Sequence, residues 1–95
     1  MTSSNAHVPT PMAERYVRQL CSHWGHRFAV TQEGPAGTID FGDGKSCALE
    51  ANDSELHVAV TAPEGEIERM QQVVAEHLNR FAHREGELTF DWARA

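Results

Sequence analysis

The run Cys21-Ser-His-Trp-Gly-His26 gathers a thiol and two imidazoles around one indole. His23 and His26 stand three apart, a spacing that sets side chains on neighbouring faces of a helix, within reach of one metal ion. Cys21 and His23, two apart, diverge. His77 offers a further imidazole from a distant segment, and Glu85 a carboxylate. Together His23, His26, His77 and Glu85 make a nitrogen-and-oxygen set suited to iron, zinc or haem. Arg80 and Arg84, with Trp24, suggest a different chemistry, in which two guanidiniums hold an anionic ligand such as a carboxylate or catecholate. Each group also has a plainer reading. Histidines suit the negative end of a helix, and an Arg–Glu pairing among Arg80, Arg84 and Glu85 can brace a helix-to-strand corner.

Catalytic signatures are missing. No G-x-S-x-G, H-E-x-x-H or phosphate-loop pattern occurs, and Gly42-Asp-Gly44 is followed by strand residues rather than a helix. Cys21 and Cys47 fall in apolar patterns, which argues for buried, weakly acidic thiols rather than nucleophiles. The expectation is a protein that is not an enzyme.

The elements that must position these residues follow from periodicity. Ala6-His-Val-Pro9 reads as a short edge strand behind a mobile tail, residues 1–5. Thr10-Pro11 reads as a helix start. Ala13, Tyr16, Val17, Leu20, Cys21 and Trp24 then recur at steps of three and four, an amphipathic helix that Gly25 stops, with Arg15, Arg18 and Gln19 facing water. Four alternating runs follow, around Phe28–Thr31, Thr38–Phe41, Ser46–Ala51 and Leu56–Thr61, separated by Gly, Asn and Asp turns. Such a pattern predicts an antiparallel meander buried on one face, with Lys45 an exposed strand residue. A second helix is predicted from Pro63 to about Ala82, burying Ile67, Met70, Val73, Val74, Leu78 and Phe81. Leu88, Phe90 and Trp92 alternate in a last strand, whose Asp91 faces the other way, toward a pairing with one of the arginines. The order β-α-β-β-β-β-α-β predicts an α+β two-layer sandwich, with two helices on one face of a mainly antiparallel sheet. Both helices end toward an Arg-Phe-Ala run, so helices lying side by side could bring His77 to His23 or His26.

With 95 residues the chain has room for one core, placed at 6–95. Eight Lys+Arg against 14 Asp+Glu give a formal charge of −6, and with the basic residues scattered along the sequence this disfavours nucleic acid and membrane surfaces. The start, MTSSNAHVPT, has neither a basic opening nor an apolar run, so a cytoplasmic setting with reduced thiols is expected.

Several separated runs, in order, resemble a small bacterial family of domains of unknown function, number 2218 in its series. They are Arg15-Tyr16, Leu20-Cys21 with His23-Trp24 and His26, Phe41-Gly-Asp-Gly44, Leu49-Glu50-Ala51, His77-Leu-Asn-Arg80-Phe-Ala82, Arg84-Glu85 and Phe90-Asp-Trp92. The likeness runs from about Ala6 to Arg94. Domains similar to this one occur alone and joined to flavin-dependent siderophore-interacting reductases. The resemblance therefore implies a link to iron acquisition and a reductase as partner, while carrying no catalytic residue across. His83 stands where the family has an aromatic residue, which removes it from any shared site.

Two functions stay open on these grounds. One is an accessory binding module in iron or siderophore handling that contacts a metal, haem or metal chelate. The other is a non-catalytic interaction module, a homodimer through sheet or helix faces, whose histidines are incidental.

Overall fold

Apolar alternation and helical spacing resolve into eight regular elements in the computed structural model of the chain, which describes residues 2–83 and 86–94. These are β1 (Thr2–Pro9), α1 (Ala13–Trp24), β2 (Ala29–Glu33), β3 (Ala36–Gly42), β4 (Lys45–Ala51), β5 (Glu55–Ala62), α2 (Ile67–Phe81) and β6 (Ala93–Arg94). A 3-10 turn, Glu64–Glu66, leads into α2. The strands form one sheet in the order β2-β3-β4-β5-β1-β6, every neighbouring pair antiparallel. This is the predicted α+β arrangement, and the strand order, which no local pattern reveals, adds that β1 closes on β5.

Register explains the core. Ala6 pairs with Val58 and Val8 with Leu56, while Leu49 and Cys47 face Val58 and Val60 from the other side. All seven point to one face and are buried. α1 lies over β2, β3 and β4, and α2 over β5 and β1. Every apolar residue of the α1 stripe is buried, from Ala13 to Trp24. Each fully buried Leu, Ile or Val contributes roughly 1.5–3 kcal/mol, so the two helices are held by their apolar faces rather than by caps.

The helix start differs slightly from expectation. Thr10 Oγ1 accepts the Met12 N–H at 3.1 Å, but the first helical bond runs from the Tyr16 N–H to the Met12 carbonyl. Pro11 therefore precedes the helix instead of opening it. At the other end Gly25 keeps right-handed helical angles, and the amides of Arg27 and Phe28 both return to the Trp24 carbonyl. That closing turn carries His26, Arg27 and Phe28 beneath the end of α1. The β3–β4 hairpin is the expected turn. Asp43 and Gly44 both have positive φ, 56° and 79°, as a two-residue hairpin loop requires, and the Gly42 N–H is taken by Asp40 Oδ1 at 2.9 Å.

Two segments depart from the sequence reading. Residues 2–5, expected as a mobile tail, are strand residues paired with 59–62, and β1 is an inner strand, not an edge. Ser4 is fully buried there, which is tolerable because its hydroxyl accepts from Gln71 Nε2 and donates to the Ala93 carbonyl. The last strand is shorter and later than the alternation predicts. Asn79 Oδ1 captures the Leu88 N–H at 2.7 Å, taking a backbone donor that a ladder would use, and only Ala93–Arg94 pairs with β1. Leu88 is buried, and Phe90 and Trp92, stacked at 5.7 Å, still pack on the core.

Candidate functional site

The end of α1, one face of α2 and the β3–β4 hairpin enclose a pocket of about 540 Å³, within the usual range for small-molecule sites. Each wall has a local cause. Trp24 is the last residue of α1, and Phe28 follows its closing turn. Phe41 and Lys45 flank the β3–β4 loop. Met70, Val73 and His77, spaced by three and four, come from one face of α2.

The aromatic rings form a chain. Phe28 meets Phe41 edge-on at 4.9 Å, and Phe41 meets Trp24 edge-on, also at 4.9 Å. Trp24 lies 4.8 Å from the His77 ring, His77 lies 5.1 Å from His23, and His23 reaches Phe81 at 6.1 Å. The edge-on contacts between Phe28, Phe41 and Trp24 suit the quadrupoles of those rings. His23 and His77, expected to meet only if the helices pack together, do meet.

Their nitrogens are unequal. His77 Nδ1 donates to the Val73 carbonyl at 2.8 Å, so its neutral ring carries the lone pair on Nε2. His23 has its pKa lowered, first by partial desolvation and then by the charges of His77, Arg80 and His26. Its neutral, lone-pair form is therefore favoured to below the ordinary histidine range. His26 lines the same pocket from the closing turn. No group of three or more His, Cys, Asp or Glu stands together in a metal-holding arrangement among the described residues.

Trp24 is buried and forms pocket wall. Arg80 is exposed and lines no part of the pocket, although its charge is felt at His23. Arg84 and Glu85 lie outside the described residues. No ion pair joins Asp91 to Arg80 among the described residues. His83 Nδ1 donates to the Arg80 carbonyl. His7 and His57 stack on the opposite face of the sheet at 4.5 Å, with Glu55 on His7 Nδ1 at 2.7 Å. Both cysteines are buried and free. Burial raises the Cys21 thiol, and burial with the neighbouring Cys21 pushes Cys47 up to about 12, so neither supplies thiolate at neutral pH.

Sequence reasoning missed four contributors. Lys45, taken as a plain exposed strand residue, is half-buried, lines the pocket and pairs with Glu66 at 3.0 Å. Arg27 sits with its guanidinium carbon 5.9 Å from the Phe28 ring centre and lines the pocket too. Phe28 and Phe41 were read as core strand residues, yet they stand at the sheet end beside the pocket. The Arg27-Phe28 dipeptide directly after a helix stop was the available signal.

A two-layer α+β domain with an aromatic and imidazole-lined pocket is thus the class that fold and site define. The chain belongs to the family described as "Uncharacterized protein conserved in bacteria (DUF2218)", whose model matches residues 5–93. Among solved structures it is similar to the NMR structure of PA4090 from Pseudomonas aeruginosa, at 41% identity and a TM-score of 0.82, covering 98% of this chain and 96% of that one. No curated protein matches. No helix among the described residues is long and apolar enough to cross a membrane.

Proposed function

We propose that the chain is a small binding module and that the pocket between α1, α2 and the β3–β4 hairpin is its site. The observation that carries this reading is the His23–His77 pair, 5.1 Å apart, set into an aromatic wall. A bare metal ion fits poorly, because two neighbouring imidazoles leave most of a coordination shell unfilled. A metal chelate fits better. Haem brings its own ring nitrogens, needs at most an imidazole or two from the protein, and offers flat apolar surface to Trp24 and Phe41; a ferric siderophore brings a filled oxygen shell and would rest against the same wall. The link to iron acquisition and to a siderophore-interacting reductase, implied by the family resemblance, agrees with such a ligand.

Titration with ferric haem or a ferric siderophore, followed by visible absorption, tests this. The expected result is a saturable spectral change that is lost in the His23→Ala, His77→Ala double variant, with zinc or iron salts alone not retained through gel filtration. A chelate that leaves no spectral change, or one bound equally by the double variant, would contradict it.

The alternative, a dimerisation module, draws on a different surface. Thr38, Ala48 and Ala59 leave the sheet face opposite the helices smooth and open, and a solution mass twice that of the chain would favour it.

A further inference from the structure

Beside the aromatic pocket lies a second, more open depression of about 460 Å³, walled by Arg15, Arg18, Gln19, Ser22, His23 and Phe81. His23 lines both. Neither cavity is lined by an Asp or Glu among the described residues, although acidic side chains outnumber basic ones 14 to eight in the chain. The cations, scattered in sequence, converge in space. Arg27 and Lys45 line the first cavity, Arg15 and Arg18 the second, and Arg80 lies near the His23 hinge between them. Of these, Lys45 is partly neutralised by Glu66 at 3.0 Å, whereas Arg15 and Arg18 make no ion pair among the described residues.

We infer that the two cavities form one two-lobed site for an anionic aromatic ligand, its ring system in the Trp24–Phe41 lobe and its anionic group on Arg15 and Arg18. This rests on the pocket being a binding site, and it adds both the charge of the ligand and a subsite. A stripe of arginine one turn apart on α1, Arg15 and Arg18, presents guanidiniums that can share one carboxylate or sulfonate. The chain of rings from Phe41 through Trp24, His77 and His23 to Phe81, in edge-on and tilted contacts, runs from one lobe to the other.

A matched pair of fluorescent probes tests it on the intact chain: 1-anilinonaphthalene-8-sulfonate, and N-phenyl-1-naphthylamine, which has the same rings without the sulfonate. The sulfonate probe should bind about tenfold tighter or better, and raising salt to 0.5 M should weaken that probe alone. Arg15→Gln with Arg18→Gln, both exposed positions, should keep the fold, checked by circular dichroism. The double variant should lose about tenfold in affinity for the sulfonate and none for the neutral probe. Equal binding of the two probes, or an unchanged sulfonate affinity in the double variant, overturns the anionic subsite while leaving the pocket standing. If neither probe binds, the pocket reading falls as well.

Discussion

Trp24→Ala should lower the unfolding free energy by about 3–5 kcal/mol, the usual cost of deleting a buried indole. At this chain length that corresponds to a fall in melting temperature of roughly 12 °C or more. Trp24 is only 5% exposed, and it joins all three parts of the pocket: the end of α1, Phe41 of the hairpin and His77 of α2. Removing it takes away ring contacts on two sides at once and leaves a cavity that neither the sheet nor α2 can fill without shifting. Trp24→Phe, which keeps a ring against Phe41, should cost less than half as much. Urea unfolding of the three proteins measures this. A loss below about 1 kcal/mol for Trp24→Ala would mean that the indole does not tie the helices to the hairpin.

Gly37→Ala is the second large effect. A Cβ at Gly37 would stand 2.5 Å from Cys21 Sγ and 3.3 Å from Val17 Cγ1, because α1 packs directly on β3. Alanine suits a strand better than glycine does, so any loss reports the clash and not the backbone. The expected cost is about 1–3 kcal/mol, as for other overpacked cores. Trimming the thiol should relieve it. In a double-mutant cycle with Cys21→Ala, part of the Gly37→Ala cost should disappear, giving a coupling of about 0.5 kcal/mol or more. A neutral or stabilising Gly37→Ala in the otherwise unaltered chain would mean that α1 does not press on the sheet at Gly37. Because α1 carries Trp24 and His23 at its end, its distance from β3 also sets the depth of the pocket.

Much of the architecture is legible in local patterns. The steps of three and four from Ala13 to Trp24 and the alternation from Thr38 to Thr61 both describe faces, and a face must be buried against something. What those patterns lack is long-range register. Nothing in Thr2–Asn5 reports its pairing with Ala59–Ala62, and small polar residues looked like a tail because Ser4 is satisfied only by Gln71 and Ala93, far away in sequence. The final strand slipped for a related reason, since the capture of the Leu88 amide by Asn79 is a tertiary contact. The site divides the same way. His23 and His77 carry chemistry that the sequence displays, but their contact depends on how two helices pack on one sheet. Arg15, Arg18 and Lys45 are ordinary surface residues by every local rule. They become part of a cationic margin only once α1, α2 and the β3–β4 hairpin are placed.

Entry of a ligand between α1, α2 and the β3–β4 hairpin can be followed residue by residue by nitrogen-15 chemical-shift mapping while the chain is titrated with 1-anilinonaphthalene-8-sulfonate. Shifts should concentrate at the Trp24 indole N–H and at the amides of Phe28, Phe41, Lys45, Val73 and His77, with Ala48 and Ala59 on the open sheet face unmoved. Shifts centred on Ala48 and Ala59, or none at saturating probe, would contradict it.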